Sequence, residues 1–95
     1  MNDIARRAIA CLDLTELGDH ATDADVEALC GRAVTPYGPV AAVCVWPRHV
    51  ALSRRLLAGT PVRIATVVNF PGGDEPTPHV VAAVEAALAD GANEI

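Results

Sequence analysis

Residues able to carry chemistry lie where apolar runs of this chain end. In the first such run, Cys11, Asp13 and Thr15 alternate with leucines. In a β-strand these three side chains would share one face. A carboxylate at a strand end can hold a substrate hydroxyl or join a proton relay. A structural aspartate, paired with backbone amides or an arginine, explains the same pattern equally well.

A longer apolar run, Val62–Asn69, ends in a polar and glycine-rich tip. The amide of Asn69 can donate and accept hydrogen bonds without titrating, which suits orienting a hydroxyl or fixing a loop. Val67 and Phe70 could form an apolar wall beside it. Gly72 and Gly73 permit backbone angles denied to other residues. A tight turn with no ligand remains the alternative.

Between these runs lies Val40–Trp46, which carries a single thiol at Cys44. If Ala42, Cys44 and Trp46 face the site, the thiol lies beside it. A lone cysteine in an apolar strand is more often a small core residue. We interpret the three histidines, all near loops or helix starts, as solvated surface residues without a functional role: His20, His49 and His79.

The composition excludes several classes of protein. A formal charge of −5 without a basic stripe argues against nucleic-acid binding, and no apolar run is long enough to span a membrane. No signal-peptide pattern follows the first residues. The three cysteines lack C-x-x-C spacing, so zinc or a disulfide framework is not expected and a reduced cytosolic location fits best. All seven basic residues are arginines, so no lysine amine is present.

The hydrophobic pattern alternates between the strand and the helix period. Residues 4–10 form either a short helix or the approach to a first strand at 8–13. We predict further strands at 40–46 and 62–69 and the start of a fourth at 92–95. Between them we predict helices: one capped by Thr22 with Val26, Leu29, Cys30 and Ala33 inward, one opened by Pro47, and one capped by Thr77 with Val80, Val81, Val84, Ala87 and Leu88 inward.

Such β-α alternation predicts a parallel sheet with right-handed crossovers. A small doubly wound sheet and the first part of a (β/α)₈ barrel both satisfy it. No glycine-rich phosphate fingerprint follows the first strand, which argues against a dinucleotide-binding domain. Because the last predicted strand has barely begun, we expect the chain to be incomplete. Its open sheet edges should pair between copies, so we expect the isolated chain to be a dimer, a higher homo-oligomer or an aggregate.

Several segments, in order, resemble the deoxyribose-phosphate aldolase family. They cover nearly the whole chain from about residue 12: Cys11–Leu17 (CLDLTEL) followed by Ala21–Asp23, then Cys30 and Thr35-Pro36, Ala41–Arg48 (AAVCVWPR), Arg63–Gly73 (RIATVVNFPGG) and Asp90–Ile95 (DGANEI). The chain departs from the pattern at Val68, where relatives often carry a hydroxyl residue.

The resemblance implies a (β/α)₈ TIM barrel, of which this single domain portion, residues 1–95, covers about the first three and a half βα units. It also implies class I aldolase chemistry on a phosphorylated sugar and aldehydes, without metal or organic cofactor. A lysine forms a Schiff base with acetaldehyde, and the protonated imine serves as electron sink when 2-deoxyribose 5-phosphate is cleaved to glyceraldehyde 3-phosphate.

By the same resemblance, the substrate-binding residues within this chain are Asp13, Thr15, Leu17, Cys44, Val67, Asn69 and Phe70. The catalytic groups, a relay aspartate and two lysines, are expected beyond Ile95, so the isolated chain is predicted to be inactive. A stand-alone, non-catalytic α/β interaction or scaffold module remains the rival interpretation. The downstream coding sequence would distinguish the two.

Overall fold

The computed structural model describes residues 2–95. Its helices are α1 (Asp3–Ala10), α2 (Asp23–Ala33), α3 (Val50–Leu56) and α4 (Thr77–Ala89), with a 3₁₀ turn at Pro47–His49. Its strands are β1 (Asp13–Glu16), β2 (Val34–Thr35), β3 (Gly38–Pro39), β4 (Ala42–Val45) and β5 (Arg63–Thr66). Within this range no helix is both long and apolar enough to cross a membrane.

The predicted first strand at 8–13 is wrong, because residues up to Ala10 belong to α1. The side chain of Asn2 accepts the amide hydrogen of Ala5 at 2.8 Å, which caps the helix. The amides of Cys11 and Leu12 then donate back into the last turn, so the chain straightens only at Asp13. Asp13 therefore begins β1, whereas the sequence interpretation placed it at the strand's end.

The main sheet is parallel, as predicted, with strand order β1-β4-β5. All three strands are four residues long and so are shorter than the predicted runs. A parallel bridge joins Ala65 to Glu94, and the amide of Thr66 donates to the carbonyl of Glu94 at 3.1 Å. The predicted fourth strand thus begins beside β5.

The two faces of the sheet differ in character. Leu14, Val43 and Ile64 are neighbours in register on one face, where the main apolar core packs them under the helices. The opposite face carries two rows of side chains that run from β1 to β5. The lower row is Asp13, Ala42 and Arg63, and the upper row is Thr15, Cys44 and Ala65. We call this second surface the inner face.

Helix α2 forms as its sequence predicts. Thr22 and Asp25 make a reciprocal capping box, and the acidic first turn complements the helix dipole. The four residues predicted to face inward are all buried: Val26, Leu29, Cys30 and Ala33. The apolar stripe therefore specified both the existence and the orientation of this helix.

The later helices differ from prediction in detail. Pro76, not Thr77, occupies the N-cap of α4, and no side chain caps it. Of the residues predicted to face inward, Ala87 is buried, whereas Val81 and Leu88 are about half exposed. Because α4 follows β5, the last strand in the order of the sheet, only a narrow stripe of the helix packs against the sheet.

His49, predicted to be solvated, is 3% exposed. It ends the 3₁₀ turn that precedes α3, with Nε2 3.7 Å from the carboxylate of Asp23 in α2. Helix α2 packs against α3 in this region, a contact that spacing along the sequence does not reveal. The other two histidines are exposed as predicted: His20 and His79.

The segment between α2 and β4 contains a small antiparallel hairpin of β2 and β3 that was not predicted. The hydroxyl of Thr35 donates to the carbonyl of Gly38 at 2.7 Å and accepts the amide hydrogen of Tyr37. Gly38, at φ +115°, closes the turn. The hairpin lies against α1 at the end of the sheet opposite the loops described next.

Candidate active site

The loops that follow β4 and β5 surround a cavity of about 190 Å³. Parallel sheets place ligands at the carboxyl ends of their strands, so this is where a site is expected. The lining is mainly apolar and aromatic, with one carboxylate and one amide among its side chains. It consists of Trp46, Pro47, Val67, Val68, Asn69, Phe70, Glu75 and Ala83.

Two aromatic rings meet at this cavity. Trp46, directly after β4, and Phe70, in the loop after β5, contact edge to face with ring centroids 5.8 Å apart. The indole N–H of Trp46 donates to the carbonyl of Gly18 at 2.9 Å. The guanidinium of Arg48 lies over the same indole ring at 5.6 Å. Trp46 therefore connects the loops that follow β1, β4 and β5.

Asn69 organises the loop after β5. Its backbone is left-handed, with φ +53°, a region that asparagine enters more readily than most residues. Its side-chain oxygen accepts the amide hydrogen of Glu75 at 2.9 Å, and its carbonyl accepts that of Gly73 at 2.9 Å. Of the two roles open at the sequence level, these bonds support fixing a loop.

Cys44 lies on the inner face next to Thr15 and Ala65. Burial raises the pKa of its thiol, and the negative charges of Asp13 and Glu94 raise it further. Because the thiolate is the nucleophilic form, a raised pKa lowers the nucleophilic fraction of this thiol. Cys44 is thus suited to be a small, uncharged wall and not a nucleophile.

The structure divides the predicted site residues into two groups. Val67, Asn69 and Phe70 line the cavity. Asp13, Thr15 and Cys44 lie on the inner face, and Leu17 follows β1 in the adjoining loop, where it is half-buried. These four do not contribute to the cavity lining. Asp13 is the farthest of them from the carboxyl end of its strand.

Sequence interpretation missed several lining residues. Trp46 was interpreted as the last residue of a strand and Pro47 as the first residue of a helix, and Glu75 and Ala83 were assigned no functional role. Trp46 had a usable signal, since it is the first aromatic residue past an apolar strand. Glu75 had none, because the backbone path around Asn69 brings it back to the cavity. Among residues 2–95, no group of three or more His, Cys, Asp or Glu side chains is arranged to hold a metal ion.

Comparison with known families shows which family the chain belongs to. The model of the family described as DeoC/LacD family aldolase matches residues 7–95. The chain belongs to this aldolase family. Deoxyribose-phosphate aldolase from Agrobacterium fabrum is 47% identical to it over 94 residues, which are 98% of the chain. The match spans 36% of that relative's length.

Solved aldolase structures superpose on the chain. A putative deoxyribose-phosphate aldolase from Coccidioides immitis gives a TM-score of 0.84 at 34% identity, over 92% of this chain and 34% of its own. The deoxyribose phosphate aldolase from Aeropyrum pernix, described as a unique tetrameric structure, gives 0.75 at 25% identity, over 92% of this chain and 36% of its own. The family predicted from the sequence motifs is therefore confirmed.

These relatives are TIM barrels, and the parallel sheet with its covering helices is part of such a barrel. In a barrel the helices lie outside, so the inner face of this sheet points toward the axis. The aldolase family thus places Thr15 and Cys44 in the barrel interior, below the loops that carry Trp46 and Phe70.

Proposed function

We propose that this chain is the amino-terminal part of a 2-deoxyribose-5-phosphate aldolase. The reaction is the reversible cleavage of 2-deoxyribose 5-phosphate to acetaldehyde and glyceraldehyde 3-phosphate. The observation that carries the proposal is 47% identity, over 98% of the chain, to a protein named deoxyribose-phosphate aldolase. The aromatic cavity at the carboxyl ends of β4 and β5 agrees with it.

The proposed chemistry is that of a class I aldolase. The amine of a lysine condenses with the substrate carbonyl and releases water, and the protonated imine accepts the electron pair of the carbon–carbon bond as it breaks. This chain has no lysine, so the remaining part of the barrel must supply it. We place the Schiff-base lysine, the lysine that lowers its pKa and the relay aspartate beyond Ile95.

Within this chain we assign binding roles. Thr15 and Asp13 contact substrate hydroxyls or ordered water, with Thr15 nearer the strand end. Asn69 borders the same space. The aldehyde end of the substrate meets an apolar wall formed by Leu17, Cys44, Val67 and Phe70. Support for these roles comes from the inner-face register and from the lining of the cavity.

The proposal extends to assembly and location. Because the Aeropyrum pernix relative is described as tetrameric, we propose a homo-oligomer of the complete protein. We also propose that the reaction uses no metal or organic cofactor and that the protein is located in the cytoplasm. The phosphate of the sugar would be held by residues outside this chain.

The test is borohydride trapping in the complete protein. Incubation with acetaldehyde and borohydride should add a two-carbon group to one lysine, found by peptide mass spectrometry, and 2-deoxyribose 5-phosphate should be cleaved with turnover. The lysine-free chain of residues 1–95 is the matched control and should show neither turnover nor an adduct away from its amino terminus. A complete protein without a lysine adduct would overturn the aldolase and favour a non-catalytic scaffold.

A further inference from the structure

The loop between β5 and α4 is tied down through one residue. Asn69 supplies two acceptors, its side-chain oxygen for the amide of Glu75 and its carbonyl for the amide of Gly73, each at 2.9 Å. The segment between these bonds carries Phe70 and returns Glu75 to the cavity wall. The conformation of this wall therefore depends on Asn69.

We propose that Asn69 is a positioning residue for aldol cleavage, which holds Phe70 against Trp46 and so fixes the shape of the aldehyde pocket. The role is distinct from direct contact with substrate. It rests on the proposed function, because its effect on rate is measured in an aldolase. Its effect on the loop is independent of that function.

The choice of residue follows from two requirements at one position. The backbone at φ +53° is strained for most side chains, whereas asparagine and glycine adopt it readily. The side chain must also be short and end in an acceptor that reaches an amide six residues ahead. Aspartate meets both requirements, glycine meets only the first, and alanine meets neither.

The position of Phe70 has little other support. Phe70 is 48% exposed, and its ring meets that of Trp46 edge to face, with 5.8 Å between centroids. A side chain that exposed is not fixed by core packing, so the backbone must place it. Trp46 is itself held through Gly18. Release of the loop at Asn69 would thus move Phe70 while Trp46 keeps its place.

Three substitutions separate the requirements: Asn69→Asp, Asn69→Gly and Asn69→Ala. Asn2→Gly is the matched control. It removes an equivalent hydrogen bond, in which the Ala5 amide donates to the Asn2 side chain at 2.8 Å, and Asn2 does not line the cavity. Each change is made in the complete protein. The measurements are kcat and KM for 2-deoxyribose 5-phosphate, amide hydrogen exchange across residues 70–76, and the melting temperature.

We expect Asn69→Gly to lower kcat/KM by about 10- to 100-fold, the loss typical of a misplaced active-site group, and to expose the Glu75 amide to exchange. Asn69→Ala should lose more, because alanine removes the side-chain acceptor and also disfavours the left-handed backbone at this position. Asn69→Asp should restore the rate and the exchange pattern, and Asn2→Gly should leave both unchanged. A purely structural role would instead lower the melting temperature of Asn69→Gly and Asn69→Ala and leave kcat/KM of the folded variants unchanged.

The proposal is overturned if Asn69→Gly keeps the wild-type kcat/KM, or if the Glu75 amide exchanges no faster than in the wild type. A wild-type complete protein that does not cleave 2-deoxyribose 5-phosphate would overturn the proposed function instead. In that case the Glu75 exchange rates still decide whether Asn69 holds the loop, so the two failures are distinguishable.

Discussion

The indole N–H of Trp46 and the carbonyl of Gly18 are joined by a 2.9 Å hydrogen bond between residues 28 positions apart. This bond links the loop after β1 to the residue that follows β4. Since Trp46 also meets Phe70, three loops share one aromatic side chain. The carboxyl-terminal edge of this sheet is thus bound together by contacts between loops as well as by the strand ladder.

Trp46→Phe should lower the free energy of unfolding by about 0.5–1.5 kcal/mol, the net value of one hydrogen bond. Residues 17–22 should lose amide protection, because the Gly18 carbonyl then keeps only the Ala21 amide as donor and this loop loses its bond to Trp46. Phe70→Leu is the control, since it removes the ring contact and keeps the indole bond. Chemical denaturation and hydrogen exchange measure both effects. Equal exchange at 17–22 in the two variants would contradict the assignment.

The capping box of α2 predicts a pH dependence. Hydrogen bonds from the backbone N–H and the hydroxyl of Thr22 hold the pKa of Asp25 below its ordinary value. A lowered folded-state pKa contributes stability above the unfolded pKa and loses it as pH falls through the folded value. Asp25→Asn should therefore lower the melting temperature at neutral pH, and the difference should vanish in acid.

The control for this change is Glu85→Gln, which removes an exposed carboxylate from α4. Its melting temperature should follow the wild type across the pH range apart from a small constant offset. A difference between Asp25→Asn and the wild type that persists unchanged below about pH 2 would show that the carboxylate's charge is not the cause.

Asp13→Asn in the complete protein should lower turnover more than stability. Asp13 is exposed at the start of β1, so the core does not depend on it, and asparagine keeps its shape. Loss of a proton-transfer group costs about 10²–10⁴ in rate, and loss of a hydroxyl contact less. Steady-state kinetics and thermal melting measure the two effects. Unchanged turnover with a large fall in melting temperature would make Asp13 structural.

The three cysteines should differ in reactivity toward iodoacetamide at neutral pH. Burial raises the pKa of the Cys30 and Cys44 thiols, and the charges of Asp13 and Glu94 add to the effect at Cys44. Cys11 is exposed. Peptide mass spectrometry should find Cys11 alkylated first. Faster alkylation of Cys44 would show that its surroundings stabilise the thiolate.

Sequence patterns predicted the parts of the fold that depend on local periodicity. The β-α order, the parallel sheet and the buried stripe of α2 all follow from apolar spacing and from the cap at Thr22. The first strand was misplaced because Ala8–Cys11 is apolar enough for either state, and the cap at Asn2 decided for helix. Burial of His49 depends on tertiary packing near α2, which contacts α3 and places Asp23 3.7 Å from the imidazole.

The site was predicted where side chains follow strands directly and missed where the chain turns back. Val67, Asn69 and Phe70 lie within four residues of the end of β5, and all three line the cavity. Glu75 arrives there through the left-handed turn at Asn69, which no apolar pattern encodes. The substrate-binding roles of all seven predicted residues stay predictions, since each depends on a substrate reaching this cavity or the inner face.

The charges around Cys44 bear on how a substrate would orient. Asp13 and Arg63 share the lower row of the inner face, where they offset each other, whereas Glu94 joins the upper row beside Ala65. Glu94 therefore places a negative charge near Cys44 on this face, and such a charge opposes an anionic group while leaving an uncharged aldehyde unopposed. If the complete protein is the aldolase proposed above, its sugar phosphate, anionic at one end only, would approach these strands aldehyde-first.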